Sequence, residues 1–390
     1  MTTPGGPVRD EALVFGQPVF DEDAIAEVVD TIRSGWVGTG PKVARFEELV
    51  AEYVGCEHAV AVSSCSAALH LALLALGIGP GDEVITTPLT FVATVNAILH
   101  VGATPVLVDV DRATQNIDPE LVAGAITDRT RALLPVHLAG RPCDMDALGK
   151  VAAGHGLLAL EDGAHALGGE YRGTRIGAIS DVTAFSFYAT KNVALGEGGM
   201  VTTNRSDWAT AVRSASQHGL AVTPWERVST APATRSPATG LGFKYNLTDL
   251  HAALGLSQIR RVDEWRAARD DVCAAYDAGL AGLPLETPAP AEPGTVHARH
   301  LYPVLLDVEA IGRDRDRIRR DLQAQGLGTG IHYNPVHLQP YHAARLGYAP
   351  TDFPNARWIG ERTISLPLSP FLTADDVADV IAAVHRVVAA

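Results

Sequence analysis

One lysine of this sequence stands where an amine could act as a nucleophile. Lys191 follows the apolar, strand-like run Ala184–Tyr188 and precedes a glycine-rich turn. Burial disfavours the ammonium form of lysine, and the neutral amine can condense with a carbonyl group to form a Schiff base. Lysine is scarce here, since 27 of the 31 basic residues are arginines, so few side chains compete for this role. The alternative is a lysine whose aliphatic stem is buried while its charged end reaches solvent.

Two carboxylates, Glu161 and Asp162, stand at the end of another apolar run. The ligand site of an α/β sheet lies at the carboxyl ends of its strands, so an acid there can hold a protonated heterocyclic nitrogen or a metal ion. A metal is disfavoured because no second carboxylate or histidine cluster with ligand spacing accompanies the pair. The histidines near the C-terminus, His332, His337 and His342, are better explained as substrate contacts or surface residues. The sequence therefore predicts no metal site.

A third candidate is the run Ser63–His70, in which small hydroxyl residues join an apolar strand to an apolar helix. The backbone amides and the positive dipole end at a helix N-terminus bind phosphate. The alternative is an ordinary serine cap. Two nucleotide-binding motifs fail: residues 35–42 place Pro41 where a phosphate-binding loop needs lysine, and no GxGxxG run joins a strand to a helix. These failures disfavour a P-loop enzyme and a nicotinamide dehydrogenase.

The charge and the cysteine content restrict the class of protein further. A formal charge of −14 and a pI near 5.4 argue against binding to nucleic acid or to an anionic membrane surface, because both require a basic face. The four cysteines form no CxxC pair, which is typical of a reducing compartment. The N-terminal residues contain no apolar signal segment, so a cytoplasmic enzyme is expected.

Short apolar runs alternate with helical patterns through the N-terminal half of the sequence. This alternation predicts an α/β protein with a parallel or mostly parallel sheet that is covered on both faces. Further on, residues 223–240 predict a mobile surface loop, and residues 308–325 predict one charged helix. The predicted strands are 58–62, 83–87, 104–109, 132–136, 157–161, 182–187 and 199–203.

A pyridoxal phosphate enzyme requires three protein groups: a helix N-terminus that binds the phosphate, an acid that pairs with the pyridinium nitrogen and a lysine that forms the Schiff base. With these parts in this order, nearly the whole chain resembles the DegT/DnrJ/EryC1/StrS family of pyridoxal-phosphate-dependent sugar aminotransferases. The resemblance implies an aspartate-aminotransferase-like fold, known as fold type I. It implies a large cofactor-binding domain over residues 15–250, with a mostly parallel seven-stranded sheet, and a smaller C-terminal α+β domain over residues 251–390.

The resemblance also implies a role for each matched residue near the cofactor. It places Lys191 in the Schiff base with pyridoxal 5'-phosphate and as the general acid–base, and Asp162 beside the pyridinium nitrogen. His165 matches a position near the phenolic oxygen of the cofactor, and Phe91 matches the residue that stacks on its ring. The residues implied to contact the phosphate are Ser64, Cys65, Ser66 and Ser186.

Other matched residues imply an assembly and a substrate. Residues 242–249 match a segment that this family uses at its dimer interface, from which Lys244 or Asn246 would reach the phosphate in the neighbouring subunit. A homodimer with shared active sites is therefore expected. The residues implied to contact the substrate are Trp36, Thr39, His332 and Tyr333.

The implied reaction moves an amino group from L-glutamate to a nucleotide-linked keto-sugar in amino-sugar biosynthesis, as part of secondary metabolism. Motif similarity favours amination at C4 of a dTDP-4-keto-6-deoxyhexose. Fold and cofactor do not fix the substrate, so amination at C3 and a cyclitol substrate stay open. A ligand sensor that keeps this fold without catalysis is the alternative that is not an enzyme.

Overall fold

The computed structural model of the chain describes residues 6–222, 225 and 236–389. The predicted strands are present and form one seven-stranded sheet in the order β1-β9-β8-β5-β4-β2-β3. Only β9 runs antiparallel to its neighbours in this sheet, β1 and β8, so the mostly parallel sheet is confirmed. Most of the loop predicted for residues 223–240 lies outside the described residues. The strands are β1 His58–Val62, β2 Glu83–Thr86, β3 Thr104–Leu107, β4 Thr130–Leu133, β5 Leu158–Asp162, β8 Val182–Ser186 and β9 Gly199–Thr203.

Helices cover both faces of this sheet because its strands are apolar on both faces. In β1, Val60 and Val62 join one buried core, whereas Ala59 and Ala61 join the core on the opposite face. Burial on both faces explains why these strands read as continuous apolar runs. The helices of this part are α1 Glu22–Ser34, α2 Pro41–Val54, α3 Cys65–Ala75, α4 Val92–His100, α5 Pro119–Val122, α6 Met145–His155, α7 Ser206–Ser216 and α8 Asp249–Gln258.

The C-terminal part has its own core, built on a three-stranded sheet in the order β10-β12-β13. Leu13 forms a parallel bridge with Leu327, so N-terminal residues pack against this second core. The domain division at residues 250 and 251 stays a prediction. The strands are β10 Leu285–Glu286, β12 Tyr302–Leu306 and β13 Thr363–Leu366, and β11 Thr295–Val296 pairs with the hairpin β6 Glu170–Tyr171 and β7 Thr174–Arg175. The helices are α9 Val262–Gly279, α10 Val308–Ile311, α11 Arg315–Ala324, α12 Pro340–Leu346, α13 Pro354–Gly360 and α14 Ala374–Val388.

The prediction of one charged helix over residues 308–325 is wrong. Gly312 adopts a left-handed conformation with φ of 69° and ends α10. Asp314 then caps a new helix, α11, by accepting a hydrogen bond from the amide of Arg317. Within the described residues, no helix is long and apolar enough to cross a membrane.

Candidate active site

A cavity of about 360 Å³ lies where β5 and β8 end, between the large sheet and the C-terminal part of the chain. Its position agrees with the rule that ligands bind beyond the carboxyl ends of parallel strands. The predicted site residues that line it are Ser64, Cys65, Ser66, Phe91, Asp162, His165, Ser186, Lys191, His332 and Tyr333. Sequence positions from 64 to 333 therefore meet at one place.

The start of α3 forms one wall of this cavity. Ser64 caps the helix, and its hydroxyl accepts a hydrogen bond of 3.1 Å from the amide of Ala67. Strand β9 comes close to this turn, because a Cβ atom on Gly199 would lie 2.4 Å from the carbonyl carbon of Ser64. Glycine at that position therefore allows the helix N-terminus to face the cavity. Ser64 does act as an ordinary cap, and the same helix end is also placed to receive an anion.

The second wall carries Asp162, the last residue of β5. The side chain is 5% exposed, and its two oxygens accept hydrogen bonds from the hydroxyl of Thr94 at 2.7 Å and the amide of Ala164 at 3.1 Å. Since the proton of Thr94 goes to Asp162, the hydroxyl of Thr90 donates to that of Thr94 at 2.7 Å. Burial raises the pKa of Asp162, because the charged form loses solvation, and the hydrogen bonds from Thr94 and Ala164 oppose this shift. A cationic ring nitrogen would offset that burial cost.

Lys191 lines the same cavity, where burial favours the neutral form of its amine. Burial lowers the pKa of Lys191 to about 8, although the nearby Cys65 and Asp162 oppose the shift. Its Nζ lies 3.4 Å from Nε2 of His300. The amine can therefore lose its proton near neutral pH, as a nucleophile or a general base requires.

The tautomer of His300 follows from its neighbour Asn192. The amide nitrogen of Asn192 donates to the carbonyl oxygens of Leu167 at 3.2 Å and Ala298 at 2.8 Å, which turns its Oδ1 toward His300. Nδ1 of His300 lies 3.3 Å from that oxygen and donates to it. Nε2 of His300 then carries a lone pair and accepts a proton or a hydrogen bond from Lys191. His300 is thus placed to hold the Lys191 amine in position.

Three more side chains complete the ring around the lysine. Nδ1 of His165 accepts from the amide of Ala139 at 3.2 Å, so its Nε2 carries the proton and donates to the hydroxyl of Tyr333 at 3.1 Å. Burial lowers the pKa of His332 to about 3 and keeps that of His165 well below its usual range, with the charge of Lys191 adding to both shifts. These histidines stay neutral at physiological pH. Among the described residues, no group of three or more His, Cys, Asp or Glu side chains is arranged to hold a metal ion.

The donor set of this cavity fits pyridoxal phosphate. It combines an amine of lowered pKa, a buried carboxylate that forms no ion pair with any described residue, and a helix N-terminus that faces the same space. The ring of Phe91 is 57% exposed on the cavity wall, which leaves an aromatic face for a planar ring to stack on. These are the groups that the cofactor needs from the protein.

Sequence reasoning missed two residues of the site, Thr94 and His300. Thr94 lies three residues after Phe91, but its hydrogen-bond partner Asp162 is 68 positions away. Neither residue type predicts that the two side chains are in contact. His300 precedes β12 in the C-terminal part, 109 positions from Lys191. A histidine immediately before an apolar strand was the only available signal for it.

The other four predicted site residues lie outside the cavity. Three of them meet at Thr39: the indole of Trp36 donates to its carbonyl oxygen at 2.9 Å, and the amide of Asn246 donates to its hydroxyl at 2.7 Å. Lys244, two residues from Asn246, bridges to Gln217 through the backbone. The roles of Trp36 and Thr39 as substrate contacts, and of Lys244 or Asn246 at the phosphate of a neighbouring subunit, stay predictions.

Comparison with known proteins agrees with this geometry. The site and the fold define a pyridoxal-phosphate-dependent aminotransferase, and the chain belongs to the DegT/DnrJ/EryC1/StrS aminotransferase family, whose sequence pattern matches residues 18–385. The spore coat polysaccharide biosynthesis protein SpsC of Bacillus subtilis is 47% identical over 382 residues, which cover 97% of this chain and 98% of SpsC.

Solved structures give the same result. DesV of S. venezuelae, solved in complex with a ketimine intermediate, is 39% identical, with 93% of each chain covered and a TM-score of 0.84. DesI, solved in the presence of its TDP-sugar product, is 34% identical, with 98% of this chain and 95% of DesI covered and a TM-score of 0.85. The predictions of fold type I, of pyridoxal phosphate as the cofactor and of a sugar transaminase are confirmed.

The lowered pKa of Lys191 predicts how fast the cofactor-free enzyme takes up pyridoxal phosphate at different pH values. Only the neutral amine attacks, so the second-order rate constant should rise by about tenfold per pH unit below the pKa and level off above it. We expect this plateau to begin near pH 8, where the pKa of Lys191 lies. Stopped-flow absorbance measures the rate, with Nα-acetyl-lysine as the exposed reference amine. A rate constant that keeps rising from pH 9 to pH 10, as it does for Nα-acetyl-lysine, would contradict the assignment of a lowered pKa to the attacking amine of Lys191.

Proposed function

We propose that this enzyme transfers the amino group of L-glutamate to C4 of a dTDP-4-keto-6-deoxyhexose. The observation that carries the proposal is the Lys191 amine, with its pKa of about 8, in the same cavity as the buried Asp162. DesI was solved with its TDP-sugar product, which supports a nucleotide-linked sugar as the substrate class. The four free cysteines support a reaction in the cytoplasm, where thiols stay reduced.

The protein groups divide the work between proton transfer and orientation. When bound, pyridoxal phosphate supplies an electron-accepting ring that stabilises negative charge on a carbon that loses a proton. Lys191 then takes up and returns that proton through Nζ, and Nε2 of His300, at 3.4 Å, holds the amine in position between the two transfers. Asp162 holds the ring nitrogen in its charged form, which maintains the pull on the electrons.

The polar groups on the C-terminal side of the cavity orient the sugar. The hydroxyl of Tyr333 accepts from His165 and therefore keeps its own proton free to donate toward the cavity. Nδ1 of His332 pairs with the hydroxyl of Ser365 at 2.8 Å, which fixes the ring and turns its other nitrogen away from that partner. Both side chains contact the cavity and stay neutral, so they suit sugar hydroxyl groups better than phosphates.

The substrate proposal is tested with a panel of keto-sugar nucleotides. The purified enzyme is incubated with L-glutamate and either dTDP-4-keto-6-deoxyglucose or dTDP-3-keto-6-deoxyglucose, and 2-oxoglutarate formation is followed. We expect turnover of the 4-keto sugar, with the new amine assigned to C4 by NMR, and at least about tenfold lower kcat/KM with the 3-keto sugar, since one polar mismatch costs about 1.4 kcal/mol or more. A preference for the 3-keto sugar or for a cyclitol ketone would overturn the assignment of C4.

We further propose a homodimer in which each site is completed by its neighbour. In the cluster of Trp36, Thr39 and Asn246, the first two residues follow α1 closely in sequence, since α1 ends at Ser34, and the exposed side of α1 carries an apolar stripe. Ile25, Val29 and Ile32 recur there at helical spacing and are 46%, 37% and 59% exposed. An apolar stripe of this kind on a helix is typical of a surface that a partner covers.

Subunit mixing tests this dimer through activity. Lys191→Ala removes the amine, and the double variant Lys244→Ala/Asn246→Ala removes the groups offered to the neighbouring site. Each variant alone should be weakly active or inactive. An equal mixture, unfolded and refolded together, should regain about a quarter of the wild-type rate, because half of the dimers then hold one intact site. A control mixture of Lys191→Ala with itself should stay inactive, and no recovery in the test mixture would contradict shared sites.

A further inference from the structure

A second, small cavity adjoins the catalytic lysine. It has a volume of about 30 Å³ and shares Gly16, Thr190, Lys191 and Leu368 with the main cavity. Its far wall is formed by α9, which contributes Trp265 and Arg269, and by residues 369–371. Trp265 and Arg269 are four positions apart, so they lie side by side on one face of the helix.

Both α9 side chains are buried with an unused donor. Trp265 is 5% exposed and Arg269 is 6% exposed, yet Nε1 of the indole and Nε of the guanidinium have no hydrogen-bond partner among the residues that the structure describes. Buried polar groups are almost always paired, so two unpaired donors around one small space point to a ligand that accepts. The hydroxyl of Ser369 is a further donor, because its oxygen accepts the amide of Phe371 at 3.3 Å and its own proton remains free.

Within the described part of the chain, no carboxylate forms an ion pair with Arg269. Burial lowers the pKa of Arg269 to about 10 and the nearby Cys273 opposes the shift, so the guanidinium is cationic at neutral pH. The adjacent carboxylate, Asp270, is engaged elsewhere, at 2.6 Å from Arg266 and 2.8 Å from Arg299. A buried charge that lacks a partner is strongly destabilising, which favours a negative ion in contact with it.

We propose that this Arg269–Trp265 cavity binds a small monovalent inorganic anion of the size of chloride. The volume of about 30 Å³ holds one or two water-sized particles, which excludes the carboxylate of an amino-acid substrate together with its chain. Trp265, Arg269 and Ser369 each supply one donor among the residues that line it, and the donor of Arg269 belongs to a cation. Leu368, Pro370 and Phe371 supply an apolar remainder that suits a weakly hydrated ion. The cavity adjoins the cofactor site and shares Lys191 with it.

The location gives this ion an effect on the catalytic centre. Burial lowers the pKa of His300, and the charges of Lys191 and Arg269 add to this shift, so these two cations act on the same small region. An anion at Arg269 offsets part of that positive field. Binding of the anion therefore stabilises the folded enzyme and reduces the electrostatic repulsion between the positive charges beside His300.

Halide-dependent stability tests the proposal on the full-length holoenzyme. The melting temperature is measured in sodium chloride and in sodium gluconate at equal ionic strength, where gluconate is too large for the cavity. We expect Tm to be about 2–4 °C higher in chloride for the wild type. Arg269→Met should lose this difference, because it removes the charge with little change in length. Arg266→Met is the control on the same helix, whose arginine already pairs with Asp270, and it should keep the difference.

A second measurement does not depend on whether the variant folds. Crystals of the wild-type enzyme are soaked in sodium bromide, and anomalous scattering should place a bromide ion between Trp265 and Arg269. A wild type with equal Tm in both salts, an Arg269→Met protein that keeps the chloride effect, or a bromide-soaked crystal without a peak in this cavity would each overturn the proposal.

Discussion

Replacing Lys191 by alanine should lower kcat for transamination by about 10⁴-fold or more, because the variant loses both the attachment point and the proton carrier. The side chain lies in the wall of the cavity, with a pKa of about 8, and donates toward His300 at 3.4 Å when it is protonated. The measurement is the formation of 2-oxoglutarate from L-glutamate at saturating keto-sugar nucleotide.

The matched control for this variant is Lys150→Ala, which removes another of the four lysines from the exposed side of α6. It should keep the wild-type rate within about twofold, since surface substitutions seldom change more than local solvation. Adding methylamine to Lys191→Ala supplies a free base and should restore part of the proton transfer. A Lys191→Ala enzyme with a rate within tenfold of the wild type would contradict the role of this amine.

The second large effect is expected from Asp162→Asn. The amide keeps the shape of the side chain but cannot hold a cationic ring nitrogen, so kcat should fall by about 10²–10⁴-fold, the range for a buried charge that loses its partner. Thr94 and Ala164 donate to this carboxylate at 2.7 Å and 3.1 Å. In the variant, the asparagine oxygen can still accept from the amide of Ala164, while its NH2 group donates to the hydroxyl of Thr94, which can act as an acceptor.

The stability of the cofactor-free protein distinguishes this role of Asp162 at the ring nitrogen from a role in supporting the fold alone. Burial raises the pKa of Asp162, so its charged form destabilises the cofactor-free protein above that pKa, and the destabilisation is relieved as the pH falls and the carboxyl becomes protonated. The cofactor-free Asp162→Asn protein should therefore be as stable as the wild type, or more stable, at pH 7 despite its lost activity. A large drop in Tm, with activity lost in proportion, would indicate that Asp162 only supports the fold. Asp144→Asn, which removes an N-cap carboxylate outside the cavity, is the control for loss of a charge.

Most of the sheet could be predicted from the sequence because each strand is a short, continuous apolar run. Burial on both faces produces such runs, and β1 and β9 match their predicted bounds. The charged segment at residues 308–325 was harder, because its helical pattern continues across Gly312 and Asp314, where one helix ends and another begins. The left-handed conformation of Gly312 ends the first helix although the helical periodicity of the sequence continues.

The residues of the candidate site could be predicted where a side chain of suitable chemistry stands at the end of a predicted strand. Asp162 is the last residue of a strand of the mostly parallel sheet, and Ser64 and Lys191 follow two others, so the topology brings all three to one edge. His300 was not predictable in this way, because it comes from the C-terminal part and its role depends on how Asn192 is held. Contacts between distant segments leave no trace in local patterns, and the same limit applies to Nε of Arg269, which has no partner among the described residues.

The most direct test of the central claim is to trap the cofactor on the protein. The holoenzyme is reduced with borohydride, digested and analysed by mass spectrometry, which locates the pyridoxyl group on a single peptide. We expect the label on Lys191, the lysine whose pKa burial lowers to about 8, together with loss of the visible absorbance band. A label on Lys42, Lys150 or Lys244, or no covalent label after reduction, would contradict it.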